Sequence, residues 1–287
     1  MIKSNRKLSA KGTSKHDYEK GVRGYYSKMA LKEWRRLARD VYHQLEFKTT
    51  MHFLKKYLPS NGYILDAGGG PGRYTIELAK MGYDVGLVDF TPELLTMARI
   101  QIKKAGVSKN VKLVAQGTIC DLSRFDDATF EAVVCLGSPL GHVVNHAERK
   151  KAINELTRVA KKGAPIFVSV IGRPALLVTE LTRFPHEISL SHFPILRDTG
   201  DYYGGYGFAP CHFYDPEELR QDFEKTGATV LEMVGLEGLA SGHQKETNRL
   251  LKEYPAAWKI WWKTHLKTCS DPVSVGISEH FMIICRK

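Results

Sequence analysis

The chain has 287 residues, 43% hydrophobic and 25% charged, which is the composition of an ordinary globular protein and excludes a disordered one. No apolar run approaches the roughly 20 residues a membrane helix needs, and the basic N-terminus lacks the apolar core of a secretion signal, so the sequence predicts a cytoplasmic protein without a membrane partner. The formal net charge of +11 raises encounters with acidic partners, but the basic residues are spread along the chain without a dense block or nucleic-acid module, which reads more simply as a solvated surface. Five cysteines (Cys120, Cys135, Cys211, Cys269, Cys285) show no C-x-x-C spacing and read as buried free thiols. No metal is expected, and the oligomeric state is open.

Residues 1–17 read as a flexible basic tail. From Tyr18 to Leu58 apolar residues recur at helical spacing (Trp34, Leu37, Val41, Leu45, then Met51, Leu54, Leu58), which predicts a helical N-terminal head over 18–59, closed by Pro59. The main domain, 60–287, then alternates: strand Tyr63–Asp66, helix Arg73–Met81, strand Asp84–Asp89, helix Pro92–Ala105 with Thr91 as its cap, strand Val111–Ala115. Strand Phe130–Leu136, helix His146–Val159 and strand Pro165–Ile171 follow. This alternation predicts an α/β fold, a doubly wound, Rossmann-like sheet of seven mostly parallel strands.

Two inserts interrupt it. The first, about 172–214, is expected to be a long irregular segment containing Asp201-Tyr-Tyr-Gly-Gly-Tyr-Gly-Phe208, and segments of that length are usually lids or binding loops. Helix Asp215–Lys225 and strand Ala228–Val234 return the chain to the sheet. In the second insert, 238–277, Leu250, Tyr254, Trp258, Trp261, Trp262 and His265 share a helical face that Pro255 breaks or kinks. That face reads either as packing or as a wall against substrate. An antiparallel last strand is expected at Glu279–Cys285.

The chemistry gathers after the first strand, in Asp66-Ala-Gly-Gly-Gly-Pro-Gly72. Glycines there let backbone N–H groups and a helix N-terminus approach a nucleotide-like ligand. Arg73 stands where a dinucleotide fingerprint has its third Gly or Ala, and no lysine follows as in a nucleoside-triphosphate loop. Asp66, just before the glycines, would repel a pyrophosphate and attract an ammonium or sulfonium. Asp89 ends the second strand, where a carboxylate can accept hydrogen bonds from both hydroxyls of a ribose.

Ile64-Leu-Asp-Ala-Gly-Gly-Gly-Pro-Gly-Arg-Tyr-Thr-Ile-Glu-Leu-Ala79, Val88-Asp-Phe-Thr-Pro-Glu-Leu-Leu95 and Phe130-Glu-Ala-Val-Val-Cys-Leu-Gly-Ser-Pro-Leu-Gly-His142 together resemble the class I S-adenosylmethionine-dependent methyltransferases, most of all their small-molecule "type 11" group. The resemblance implies S-adenosylmethionine as cofactor, with Asp66, Gly68 and Gly70 at its methionine end, Asp89 on the ribose and Phe90 on the adenine. Thr118 and Ile119 would flank the adenine. Asp121 either supplies the acid the family often has at Thr118 or caps a turn. Leu136 and Gly137 would face the methyl-transfer site, and Tyr25, Tyr26 or Trp34 of the head would close over the cofactor. Glu33 and Arg36, at i, i+3 spacing, read as a surface ion pair.

Methyl transfer from a sulfonium is an in-line displacement that needs mainly positioning and exclusion of water. A hydroxyl acceptor would also need a base, for which His142, after the fourth strand, and His212, where the first insert rejoins the core, are the candidates. His142 could instead cap the helix that follows it. The sequence therefore predicts a methyltransferase acting on a small molecule. Gly137-Ser-Pro-Leu-Gly141 is not the Asn/Asp-Pro-Pro-aromatic motif of base-amine methyltransferases. An RNA-modifying enzyme, suggested by the charge, and a non-catalytic cofactor-binding protein are the alternatives.

Overall fold

The computed structural model describes residues 15–204 and 207–287. Most of the expected tail, and Gly205 and Tyr206 of the first insert, lie outside the described residues. The head is three helices: α1 (Lys15–Ser27), α2 (Ala30–Arg36) and α3 (Val41–Tyr57). Asp40 caps α3, its carboxylate accepting from the His43 N–H at 3.0 Å.

The alternating region follows the sequence pattern closely: β1 (Tyr63–Ala67), α4 (Arg73–Lys80), β2 (Asp84–Asp89), α5 (Pro92–Lys104), β3 (Val111–Gln116), β4 (Ala132–Cys135), α6 (His146–Val159) and β5 (Pro165–Ile171). The stretch expected to be irregular instead holds α7 (Arg173–Arg183), a 3-10 turn, α8 (Phe193–Thr199) and a two-stranded ribbon, β6 (Asp201–Tyr202) with β7 (Cys211–His212). The helical period of α7 is blurred because Val178 and Leu181 point outward, 56% and 65% exposed. Then come α9 (Pro216–Glu224), β8 (Thr229–Gly235), α10 (Gln244–Glu253), α11 (Pro255–Thr268), α12 (Pro272–Ile277) and β9 (His280–Arg286). Pro255 does break the second insert's helix, standing at the start of α11.

Seven strands form one sheet in the order β3-β2-β1-β4-β5-β9-β8. All neighbouring pairs are parallel except those made by β9, which runs antiparallel to both β5 and β8. Side chains alternate across the sheet, so on β1 Leu65 joins one core, with Phe130, Ile153 and Phe223, while Ile64 joins the other, with Ile76, Leu87 and Phe167. The five cysteines are buried and free. No helix among the described residues is long and apolar enough to cross a membrane.

The aromatic face of the second insert packs on the head: Trp258 and Ala240 are buried with Tyr42 and Leu45 of α3, with Leu250, Trp261 and Trp262 alongside. Behind it the Thr49 hydroxyl donates to the Leu236 carbonyl at 3.0 Å, which leaves its oxygen to accept from His265 Nε2 at 2.8 Å. Burial pushes His265 down to about 4, so the ring stays neutral.

Candidate active site

The strand order reverses between β1 and β4, and an open α/β sheet leaves a crevice at the C-terminal ends of the strands flanking such a point. A cavity fills it. Its floor and walls come from Gly68, Gly69, Gly70, Asp89, Phe90, Thr118, Ile119, Leu136 and Gly137; its cover comes from Tyr18, Tyr26, Glu33 and Arg36 of the head, with Pro139 and His142 at one side. Gly68 has φ +77°, and a Cβ on it would overlap Pro139, so only glycine lets the turn after β1 lie against the loop after β4.

Asp66 is 1% exposed and stands beneath this turn, not on the cavity wall. Its Oδ2 accepts from Thr75 Oγ1 at 2.5 Å, while Oδ1 has no partner among the described residues. A Cβ on Gly69 would come within 2.6 Å of that carboxylate, so the turn is thin where it covers the acid. Asp89 lies on the wall, its Oδ2 accepting from the Gly70 N–H at 2.9 Å and its Oδ1 from the Thr91 N–H at 2.8 Å. Each oxygen keeps a further lone pair. Burial pushes both carboxyls up to about 6, with Asp89 adding repulsion at Asp66, and Glu33 at Asp89. Two desolvated carboxyls flanking a glycine turn fit a ligand that brings positive charge.

The other anticipated residues divide. Asp121 is exposed and off the wall; its Oδ1 accepts from the Ser123 N–H at 3.1 Å, which is the turn-capping alternative. Tyr25 also lies off the wall, edge-on to Phe208 at 5.5 Å, whereas Tyr26 turns inward. Trp34 stacks under the Arg73 guanidinium, 3.8 Å from ring centroid to charge. His142 lines the cavity, because Asn145 and not His142 caps α6, its side chain accepting from the Glu148 N–H at 3.1 Å. His212 corrects the expectation of a second base. It is 1% exposed and not among the lining residues, with Nδ1 2.7 Å from Asp201 and Nε2 2.8 Å from Glu218. With a carboxylate beside each nitrogen it fastens the β6–β7 ribbon to α9, and neither nitrogen is turned toward the cavity.

Glu33 and Arg36 are more than a surface pair. Arg36 Nε donates to Glu33 at 2.9 Å, and both terminal nitrogens grip Glu46, Nη2 at 3.0 Å. Glu46 is 2% exposed and also faces His280 Nδ1 at 3.8 Å, which donates to Glu237 at 2.8 Å. Burial alone would lower His280, but Glu46 and Glu237 hold it up at about 9. The ligating atoms of Glu46, Glu237 and His280 lie within 4.8 Å of one another, as a metal would require, yet the Arg36 guanidinium already supplies the cation. Glu46 lay in the sequence on the buried stripe of α3, between Tyr42 and Thr49; a charged residue in register with an apolar face signals a buried partner.

Residues 64–163 match the family described as "Methyltransferase domain". A ubiquinone biosynthesis O-methyltransferase of Xylella fastidiosa is 31% identical over 124 residues, covering 43% of this chain and 48% of that protein. A ubiquinone/menaquinone biosynthesis C-methyltransferase of Geobacter sp. is 26% identical over 162 residues, 55% of this chain and 63% of that one. The chain thus spans about half to two thirds of the length of these curated relatives. In fold it is similar to a SAM-dependent methyltransferase of Methanosarcina mazei (TM-score 0.57, 22% identity, 82% of this chain and 96% of that one). It is likewise similar to the Burkholderia thailandensis 1,6-didemethyltoxoflavin-N1-methyltransferase, solved with S-adenosylhomocysteine (TM-score 0.57, 14% identity, 98% and 93%). Strand order and glycine turn agree with that match: residues 64–163 carry a methyltransferase domain, set in a Rossmann-like fold.

Proposed function

We propose that this protein transfers a methyl group from S-adenosylmethionine to a small-molecule acceptor held under the helical head. The observation that carries the reading is the pair of buried carboxyls, Asp66 with its unpartnered oxygen and Asp89, on either side of the glycine turn. In this reading 60–287 is the methyltransferase domain with inserts at 172–214 and 238–277, and 18–59 is the head that covers its cavity.

The cofactor supplies a methyl group already activated on a sulfonium, so the chain's own residues have to bind, orient and exclude water. Asp66, Gly68 and Gly70 hold the methionine end, Asp89 the ribose hydroxyls, Phe90 the adenine face, and Thr118 and Ile119 its edge. Leu136 and Gly137 border the point of transfer. His142 takes up a proton where the acceptor must lose one. The wall carries Glu19, Glu33, Asp89 and Glu148 against Arg36 and Arg73, and this acidic balance favours a small neutral or cationic acceptor over RNA.

Calorimetry tests the reading. Wild-type protein is expected to bind S-adenosylmethionine and S-adenosylhomocysteine at one site; binding of neither would overturn it. Asp66→Asn is expected to weaken binding tenfold or more while raising stability. An acid held at about 6 in the fold costs stability once ionised, roughly 3 kcal/mol above that pH, and the amide escapes this cost. A variant that binds less and unfolds at higher denaturant separates ligand recognition from misfolding. Incubation with labelled cofactor and a fractionated metabolite extract identifies the acceptor.

A further inference from the structure

Three segments far apart in the chain meet on His142: the loop after β4 that bears it, α1 through Tyr26, and the β6–β7 ribbon through Pro210 and Phe208. Nδ1 lies 2.8 Å from the Pro210 carbonyl, which can only accept, so Nδ1 carries the proton of the neutral ring. Nε2 then offers a lone pair, and the Tyr26 hydroxyl, 2.7 Å away, donates to it. Both residues line the cavity. Tyr26 Oη, having given its hydrogen to the ring, presents lone pairs able to accept a hydrogen bond from a molecule bound beside it.

We propose that Tyr26 and His142 form a two-step proton relay serving an acceptor with an ionisable hydroxyl, a phenol or enol. This rests on the methyltransferase reading above. As the acceptor oxygen bonds to the methyl carbon, the carbon–sulfur bond breaks and its electron pair stays on sulfur. The hydroxyl proton passes to Tyr26 Oη, and the proton already on Tyr26 passes to His142 Nε2. The products are a methyl ether, a neutral thioether and an imidazolium, so one positive charge enters and one remains. A neutral amine has no proton to lose before it attacks, and a carboxylate has none at all and would face Glu33 and Asp89; a hydroxyl is the acceptor that gains from a relay. Because Tyr26 belongs to the head, the relay is complete only when the head covers the cavity.

His142 is faced by Tyr26 of α1, Glu33 of α2, and Pro210 and Phe208 of the ribbon. Burial pushes its ring below the ordinary histidine value, while the Pro210 carbonyl and Glu33 oppose that shift. The ring therefore keeps its lone pair at neutral pH, and the relay fails only on the acid side.

The test uses the full chain labelled with 15N-histidine, and a set of simple phenols with matched anilines as probe acceptors. Tyr26→Phe keeps the ring packing and removes the donor. It should move the His142 Nε2 resonance downfield and lower kcat on phenols about 10²–10⁴-fold with little change in KM. The loss should shrink as the phenol becomes more acidic. The relay is refuted by an Nε2-protonated His142, by unchanged kcat on phenols in Tyr26→Phe, or by turnover of anilines and no phenol. If no probe is turned over, the nitrogen spectrum decides alone. A wild-type protein that binds no cofactor defeats the underlying reading instead, through calorimetry and independently of the spectrum.

Discussion

The two stretches that interrupt the strand–helix alternation look alike in the sequence, each long and each rich in aromatic residues, yet they face different parts of the molecule. Residues 172–214 back the cavity wall through His142: Pro210 accepts from that ring, and Phe208 lies between His142 and Tyr25. Residues 238–277 turn away from it and bury Trp258 against Tyr42 and Leu45 of α3. The difference lies in how the aromatics are spaced. On α10 and α11 they recur at helical period and so form one continuous face, which is satisfied by a neighbouring helix. In Asp201–Phe208 they sit among glycines with no helical period, and a short ribbon and its turn can place a single ring, Phe208, against His142.

Three substitutions would break or sharpen this contrast. The largest effect is expected from Trp258→Ala, which leaves a void between α11 and α3 and should cost about 3 kcal/mol of unfolding free energy in urea. Cofactor affinity of the folded protein should not change; a parallel loss of affinity would make the second stretch part of the site.

His280→Gln probes the neck of that stretch, where Glu237 and His280 meet and tie it to Glu46 and Arg36. His280 is held at about 9 in the fold, above its value of about 6.5 in an unfolded chain. Its stabilisation is therefore complete below about pH 6.5 and disappears as pH rises through 9. The variant should be roughly 3 kcal/mol less stable at the acid end of this window, with the difference vanishing at its alkaline end. Equal stability curves across the window would show that the buried histidine carries no charge.

The smallest effect is expected from Phe208→Ala in the first stretch. It removes ring contacts to Tyr25 and His142 worth about 1 kcal/mol in all, so kcat/KM should fall roughly fivefold with a stability loss of no more than about 1 kcal/mol. A large stability loss with unchanged kcat/KM would assign the ribbon a packing role like that of its counterpart.

Much of the fold was legible before any coordinates. Strands such as Pro165–Ile171 and helices such as His146–Val159 carry both period and boundary signals, and they fall where the pattern put them. α7 escaped because its outward apolar residues erased the period. At the site, the residues of the glycine turn, Asp89 and Phe90 were readable, because their positions follow from the strand ends that bear them. Tyr26 could be distinguished from Tyr25 only by the rotation of α1 against the ribbon. The contrast between His142 and His212 was likewise hidden: only the partners of their ring nitrogens separate a ring that lines the cavity from a clasp between carboxylates. Glu46 drew no reading from the sequence, since its countercharges come from residues 36 and 280.

That last connection has a consequence for the order in which the molecule is assembled. Translation delivers the head before β9, with domains folding as they emerge. Yet the carboxylate that anchors Arg36 to α3 sits beside a cation encoded on the final strand of the sheet. The glycine turn and its carboxyls can form as soon as β1, β2 and β4 have paired. The cover over them is fully fastened only after His280 has been synthesised and β9 has slotted between β5 and β8. The head is thus made well before the strand that helps to lock it, and its cover stays incompletely fastened until β9 has joined the sheet.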